Sequence, residues 1–269
     1  MESDSLELLH KVQLDMLVKF DRICEEHGLA YFLDSGTALG AVRHGGFIPW
    51  DDDVDVAMPR ADYEKLLEIG KQGLPDQLFL QTYETDPAYM MPFAKIRLGN
   101  TFFPEPVKAY EKLKYRGIYI DVFPFDRIPA DAAEARRAIR KSRRLYFVSV
   151  FSRRAYPGKK IPQKVVSSVL HQLPDGFVHK LHKRYERYCT QYKDTDAPWM
   201  TCFCWRMSQR SEYLFKESEL LPTREVLFEG KPLRIMADPH AYLTKMYGDY
   251  RTLPPEDKRK SHLNGTFQL

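Results

Sequence analysis

The sequence predicts an α+β fold in which a mixed sheet is flanked by helices and followed by a more helical second half. Up to residue 130, short apolar strand patterns alternate with amphipathic helices, whereas 131–200 is rich in basic helical sequence. A hairpin pattern and a last helix occupy 201–269. The 269 residues, 43% of them hydrophobic, suffice for one large domain. We therefore expect a single domain over 1–269, with a core at 1–130, a helical basic insertion at 131–200 and a C-terminal part that closes on the core.

The first half alternates between the two element types. Apolar residues at three- and four-residue steps predict a helix over 5–27, which Gly28 ends as a C-cap. A short strand at 30–33 runs into a turn at 34–37, and a helix begins at Ala38. Further predicted elements are a strand over 47–57, a helix over 59–70, and strands at 78–81 and 93–98.

The second half begins with a strand at 117–124 and then becomes helical. Asp131 is the expected N-cap of a helix reaching 155, and two more helices are predicted at 163–173 and 177–193. Short strands are expected at 200–205, 226–228 and 233–236, the last two forming a hairpin. Asp238 then caps a final helix through Tyr247.

Composition limits the compartment and the cysteine chemistry. No apolar run approaches the ~18–20 residues that a transmembrane helix needs, and the acidic N-terminus does not resemble a signal peptide. We therefore expect a cytoplasmic protein. The spacing of the four cysteines indicates reduced structural thiols rather than disulfides or a zinc site (Cys24, Cys189, Cys202 and Cys204).

The segment 47–57 contains four aspartates in five positions. On a strand, Asp51, Asp53 and Asp55 would share one face, and Asp52 would point to the other as a structural residue. Crowded like charges require a neutralising partner, and Mg²⁺ binds through carboxylates together with substrate phosphates. This pattern favours a metal platform for phosphate chemistry. The alternative is an acidic surface turn, against which the flanking valines argue.

The turn Ser35-Gly36-Thr37 lies between a strand and a helix start. Free backbone N–H groups and the helix dipole favour an anion at such a place. The turn is therefore a candidate phosphate cradle, although many turns share this composition.

Asp121 is the single carboxylate in an apolar strand pattern over 117–124. Burying it without a partner would cost several kcal/mol. We interpret it as a third metal ligand or catalytic carboxylate; a structural aspartate satisfied by backbone N–H groups or by Arg127 is the alternative.

The segment from Arg136 to Lys164 carries eleven basic residues and no acidic one, interrupted by aromatic and aliphatic side chains. Such a segment suits nucleic acid, an anionic membrane or a polyanionic acceptor. Alternatively, it is a helix with a solvated basic face. A module that only binds nucleic acid would have no use for the acidic residues at 51–55 and 121, so we expect no nucleic-acid partner. We expect instead that 136–164 makes peripheral contact with the inner face of the membrane.

These motifs resemble the LicD family, which includes the catalytic domains of fukutin and the fukutin-related protein. The matching residues are Asp34-Ser-Gly-Thr-Ala-Leu-Gly-Ala-Val-Arg-His44, Gly46-Phe-Ile-Pro-Trp-Asp-Asp-Asp-Val-Asp-Val56, 116–126, Tyr247-Gly-Asp-Tyr250, Leu253-Pro-Pro255 and Ser261-His262. The resemblance implies a nucleotidyltransferase-like fold, which makes 1–130 a metal- and nucleotide-binding core. It assigns catalysis and metal binding to Asp53, Asp55 and Asp121, with Asp51 as an accessory ligand.

The resemblance also implies an activity. Family members move a phospho-alcohol from a CDP-linked donor to a glycan, commonly phosphocholine from CDP-choline to teichoic acid, lipooligosaccharide or capsule sugars. We therefore expect a Mg²⁺-dependent phosphotransferase, with Mn²⁺ as a substitute, acting on a glycan or lipid-linked glycan acceptor.

Further residues are candidates for donor binding beside Ser35, Gly36 and Thr37. Arg43, Lys95 and Arg97 have the chemistry of phosphate ligands, with ordinary surface charges as the alternative. Trp50 would stack on a base or on a choline head group, or would simply pack its strand. His262 would contact donor or acceptor, or would be structural.

Two rival activities use the same kind of acidic site. A nucleotidyltransferase would attach a nucleoside monophosphate and release pyrophosphate. A metal-dependent glycosyltransferase would transfer a sugar, and usually has a longer Rossmann-like half before its acidic pair.

Overall fold

A computed structural model describes residues 2–89, 91–105, 108–151, 168–169, 172–204, 213–259, 261 and 266–269. It confirms the predicted class, because a mixed sheet is flanked by helices. The main sheet contains β1 (Phe32–Leu33), β2 (Asp55–Pro59), β3 (Leu78–Gln81), β4 (Ala94–Leu98), β5 (Tyr119–Ile128), β6 (Trp199–Thr201) and β7 (Phe215–Lys216). A separate hairpin consists of β8 (Arg224–Phe228) and β9 (Lys231–Ile235).

The strand β5 organises the sheet. It pairs in parallel with β2 and antiparallel with β4, and its second half pairs antiparallel with β6. The order across the sheet is β1-β2-β5-β4-β3, so that β3 forms an edge. Nearly every residue of β5 is buried, since neighbouring strands lie on both sides and helices cover its faces. This burial explains the long apolar run in the sequence.

The described helices are α1 (Glu2–Glu26), α2 (Ser35–His44), α3 (Arg60–Gln72), α4 (Ala132–Phe151), α5 (Asp175–Cys189), α6 (Glu217–Leu220) and α7 (Pro239–Tyr247). Short 3₁₀ turns cover Lys108–Lys112, Thr190–Tyr192 and Glu256–Lys258. The apolar stripe of α1 packs into the core through Leu9, Met16, Leu17 and Phe20, all fully buried. Gly28 ends this helix with φ 61°, as predicted.

Two predicted boundaries near the aspartates were wrong. The strand predicted over 47–57 begins only at Asp55, because the Asp51 N–H donates to the Ile48 carbonyl and closes a turn before it. Strand alternation therefore does not arrange Asp51 and Asp53. The helix predicted from Ala38 begins at Ser35, since Asp34 is extended and its carbonyl accepts from the Ala38 N–H at 3.0 Å. Ser35-Gly36-Thr37 is thus the first turn of α2.

The second half follows the predictions where it is described. The Asp131 carboxylate accepts from the Glu134 N–H at 2.8 Å, and Asp238 caps α7 by accepting from Ala241 at 2.9 Å. The predicted hairpin is present, whereas the strand expected at 200–205 is shorter, and β7 was not predicted. Most of the helix predicted at 163–173 lies outside the described residues.

The described part of the basic segment, up to Phe151, is amphipathic. Ala135, Ala138, Ile139 and Tyr146 are buried, and the basic residues on the other side are exposed (Arg136, Arg137, Arg140, Lys141, Arg143 and Arg144). Residues 152–164 lie outside the described part of the chain. None of the helices in the described ranges is long and apolar enough to cross a membrane. The four cysteines are free and buried, as expected for structural thiols.

Candidate active site

Three of the candidate residues meet where β2, β5 and β4 lie side by side. Asp55 is in register with Asp121, and Asp121 is in register with Lys95 on the other neighbouring strand. Residues paired in this way project from the same face of a sheet, with adjacent strands about 4.8 Å apart. The sheet therefore places two predicted acids and one predicted cation in one row.

The loop before β2 adds further carboxylates. One carboxylate oxygen from each of Asp51, Asp52 and Asp53 lies within 4.8 Å of the other two. The carboxylates of Asp51 and Asp53 are close enough for each to shift the pKa of the other. Asp52 is buried and accepts from the Ser261 hydroxyl at 3.1 Å. Three oxygens at such separations form a donor set suited to a hard cation.

Burial makes ionisation of these acids unfavourable. It raises the pKa of Asp51 to about 6 and that of Asp53 to about 7, and neighbouring aspartates add to the effect at Asp53. The pKa of Asp55 is raised well above its usual range by burial and by the charges of Asp53 and Asp121. These closely spaced, partly buried carboxylates repel one another, and a divalent cation would relieve that repulsion.

Lys95 is a buried partner of Asp121 rather than a surface charge. Its Nζ lies 2.6 Å from Asp121 Oδ1, 3.5 Å from Glu105 Oε1 and 3.2 Å from the centroid of the Tyr119 ring. Burial raises the pKa of Asp121 to about 6, and the Lys95 charge opposes that rise. Lys95 therefore favours the ionised form of Asp121.

The first turn of α2 packs directly on the acids. The Thr37 hydroxyl accepts from the Asp55 N–H at 2.9 Å. A Cβ atom on Gly36 would lie 2.6 Å from Asp51 Oδ2, so this position accepts only glycine without displacing the acid. Ser35 has a φ of 45°, and its N–H faces the Tyr242 hydroxyl at 3.5 Å. The predicted cradle and the predicted metal platform are thus in contact.

Arg97 lies on the same face of β4 as Lys95 but is directed into the interior. Its fully buried guanidinium donates to Gln81 at 2.8 Å and to the Gly117 carbonyl at 2.9 Å, and it pairs with Glu105 at 2.5 Å. These contacts give it a structural environment, so the structure does not bring Arg97 to the acids as a free phosphate ligand.

Arg43, Trp50 and His262 lie at the edge of the candidate site or outside the described chain. Arg43 is half-buried near the end of α2 and donates to the Tyr250 carbonyl at 2.9 Å. Trp50 packs against the core, with the Arg259 guanidinium 5.5 Å from its ring centroid. His262 lies outside the described residues, although its neighbour Ser261 reaches Asp52.

Several residues that position the acidic loop had no motif to reveal them. His10 Nε2 lies 2.7 Å from the Asp51 carbonyl, and Gln13 donates to the Asp52 carbonyl at 3.0 Å. Glu229, in the β8–β9 turn, accepts from the Phe47 N–H at 3.0 Å. Of these residues, only Gln13 could have been noticed in the sequence, because it is a polar residue at a buried position of the amphipathic helix α1.

The helix α7 supplies two tyrosines to the same region. The buried Tyr242 hydroxyl donates to the Asp34 carboxylate at the start of α2. Although 39% of the Tyr247 side chain is exposed, desolvation of its hydroxyl and the charges of Asp34 and Asp55 raise its pKa. The hydroxyl of Tyr247 therefore lies within the field of the acidic residues.

The sequence of this chain is similar to those of known proteins, and the matching region includes the acidic residues at 51–55 and 121. Residues 28–162 match the family described as LicD/FKTN/FKRP, nucleotidyltransferase domain. Over 259 residues the chain is 29% identical to the lipopolysaccharide cholinephosphotransferase LicD of Haemophilus influenzae, and this alignment covers 93% of each protein. A shorter stretch of 36 residues is 50% identical to the human ribitol 5-phosphate transferase FKRP, covering 13% of this chain and 7% of that protein.

Proposed function

The chain belongs to the LicD family, and from this premise we propose that it transfers a phospho-alcohol from a CDP-linked donor to a glycan hydroxyl. Phosphocholine from CDP-choline is the first candidate, and the acceptor is a cell-surface glycan or its lipid-linked precursor. The observation that carries the proposal is the row formed by Asp55 and Asp121 beside the Asp51–Asp53 loop. The similarity to a cholinephosphotransferase and to a ribitol 5-phosphate transferase supports transfer of this chemical group.

The residues present fit a divalent cation. Asp53 and Asp55 would hold Mg²⁺, or Mn²⁺ in its place, with Asp51 and Asp121 as further ligands. The fit rests on the donor set itself: one carboxylate oxygen from each of Asp51, Asp52 and Asp53 lies within 4.8 Å of the other two, and Asp55 is in register with Asp121. When bound, the cation supplies neutralisation of the charge on the donor pyrophosphate.

The protein's own groups would orient the reactants. The N-terminus of α2, at Ser35, Gly36 and Thr37, offers backbone N–H groups and a positive dipole end to the phosphate oxygens. Asp121, kept ionised by Lys95, would either accept the proton of the attacking hydroxyl or share the metal. Phosphoryl transfer depends mainly on such positioning and charge neutralisation.

Arg43, Trp50 and His262 remain proposed contacts of the donor at the mouth of the site. Arg43 would pair with a phosphate oxygen, and Trp50 would stack on the base or the choline head.

A thermal-shift panel tests the donor class. CDP-choline, CDP-ribitol, CDP-glycerol and CDP-ethanolamine are compared with nucleotide sugars in the presence of Mg²⁺. At a hundredfold excess over Kd, the matching donor is expected to stabilise the protein by about 2.7 kcal/mol. Product analysis then looks for CMP and phospho-alcohol on the acceptor. Release of pyrophosphate with attached nucleotide, or transfer of a sugar, would instead establish one of the rival activities.

The exposed basic face of α4 would bring this enzyme to the inner face of an anionic membrane, where a lipid-linked acceptor lies. The reaction needs no nucleic acid. We expect sedimentation with phosphatidylserine vesicles at low salt and release at high salt. Absence of binding at low salt would contradict the membrane contact and leave the transferase proposal intact.

A further inference from the structure

A pocket of about 310 Å³ opens at the edge of the sheet near the ends of β3 and β4. It is lined by residues of β3, of the β4 end and of the segment 114–117 that precedes β5. None of the candidate donor-binding residues except Arg97 borders this pocket, and the Arg97 guanidinium is fully engaged with Gln81, Glu105 and Gly117. The pocket is therefore separate from the proposed binding site of the donor pyrophosphate.

The pocket combines a flat aromatic surface with two cations. The rings of Phe79 and Tyr115 are stacked, with centroids 4.7 Å apart and planes 19° from parallel. Phe79 remains 37% exposed on the edge strand β3. Lys114 Nζ lies 4.9 Å from the Tyr115 centroid, and the Arg116 guanidinium lies 4.7 Å from that of Phe102. No carboxylate occurs among the described lining residues.

The pocket wall is fixed by a buried polar chain that reaches the catalytic acids. Asp86 accepts from the Lys114 N–H at 2.8 Å, and Gln81 donates to Asp86 at 2.7 Å and to the Tyr115 carbonyl at 3.0 Å. Gln81 also accepts from Arg97, which pairs with Glu105. The chain then continues from Glu105 through Lys95 to Asp121. Such a network holds the two sites at a fixed separation.

Both sites lie on the same face of the sheet. Phe79 pairs with Arg97, and Gln81 pairs with Lys95, which in turn pairs with Asp121. Phe79 is therefore two residues and two strands from Asp121, which corresponds to about 12 Å between backbones. Because Arg97 and Lys95 are buried between the two sites, a molecule that contacts both Phe79 and the acids must be a chain of several units that passes over this buried row.

We propose that this pocket binds an anionic sugar of the acceptor glycan, several units from the hydroxyl that is phosphorylated. The stacked rings provide a flat apolar surface for one face of a pyranose, and Lys114 and Arg116 provide charge for its phosphate or carboxylate. Asn100 donates to Gln77 at 2.8 Å, and the remaining donors and acceptors of these two lining amides supply partners for hydroxyls. The assignment as an acceptor subsite rests on the proposed transferase function.

Ligand-observed NMR on the full chain tests the pocket directly. The probes are trigalacturonic acid for a carboxylate, mannose 6-phosphate for a phosphate, and maltotriose as a neutral control. We expect at least one anionic probe to bind and maltotriose to bind at least about tenfold more weakly. The variant K114E/R116E is expected to lose this binding, and Phe79→Ala to weaken all sugar binding.

Matched control variants carry the same changes elsewhere. R224E/K231E reverses two exposed charges on the β8–β9 hairpin, and Leu227→Ala removes an apolar side chain that is 61% exposed. Both should bind like the wild type. Failure of every sugar to bind, equal binding of maltotriose, or unchanged binding by K114E/R116E would overturn the proposal.

A second measurement separates this inference from the proposed function. The thermal shift with CDP-choline and Mg²⁺ should be unchanged in K114E/R116E, while the acceptor KM rises about tenfold or more with little change in kcat. If no CDP-alcohol shifts the protein but an anionic sugar still binds in a Phe79-dependent way, the pocket stands and the transferase proposal falls. If the donor shift is present and the sugar binding is absent, the pocket proposal falls alone.

Discussion

Asp53→Asn and Asp55→Asn variants are expected to lose phospho-alcohol transfer by about a thousandfold or more, the loss that follows from about 4 kcal/mol of missing transition-state stabilisation. Asparagine keeps the size of the side chain but removes the negative charge that a divalent cation requires. The comparison is made on purified proteins at saturating Mg²⁺, with CMP release as the readout. Near-normal turnover in the double variant would contradict the metal-platform interpretation.

The same variants should remain folded, and the direction of their stability change is informative. Because burial raises the pKa of Asp53 to about 7, the folded protein binds this proton more tightly than the unfolded chain. The contribution of this bound proton to the free energy of unfolding is therefore complete below the unfolded pKa of about 4 and is lost as the pH rises through 7. In metal-free buffer at pH 8, Asp53→Asn should melt at a temperature no lower than the wild type, and Mg²⁺ should stabilise it less. Asp15→Asn, on an exposed part of α1, is the matched control.

The acidic positions could be predicted because their signal is local. Four aspartates in five positions, and a lone Asp121 in an apolar strand, each indicate a charge that must be neutralised. What the sequence could not supply is the register that sets Asp55 beside Asp121, since these residues are far apart in the chain. The turn at Ile48–Asp51 likewise removes the strand alternation from which we predicted that Asp51, Asp53 and Asp55 share one face.

Lys95 and Arg97 show a second limit of prediction. Both were candidate phosphate ligands, two residues apart and on one face of β4. The structure makes Arg97 a structural residue and leaves Lys95 beside Asp121, because Glu105 binds Arg97 more closely, at 2.5 Å against 3.5 Å for Lys95. Glu105 lies in a segment without regular structure. No periodicity in the sequence places such a residue. The positioning contacts of His10 and Glu229 with the acidic loop depend on tertiary packing in the same way.

Arg60→Met is expected to destabilise the protein by about 3–5 kcal/mol, because it leaves a buried carboxylate without its partner. Arg60, the first residue of α3, donates to both oxygens of Asp126 at 2.7 and 2.9 Å. The Asp126 side chain is 1% exposed, so that water cannot replace the lost guanidinium. Since Asp126 lies on β5, the same strand as Asp121, the ion pair also fixes α3 against the strand that carries the site.

Urea unfolding at pH 7 measures this effect against two matched variants. Lys193→Met removes an ion pair with Glu64 in which both side chains are more than 40% exposed, and it should cost less than about 1 kcal/mol. The double variant R60M/D126L removes both buried charges and should recover most of the loss, because no unpaired carboxylate remains. A double variant as unstable as Arg60→Met would mean that the contact of the Arg60 guanidinium with the Tyr63 ring, rather than the ion pair, stabilises this junction.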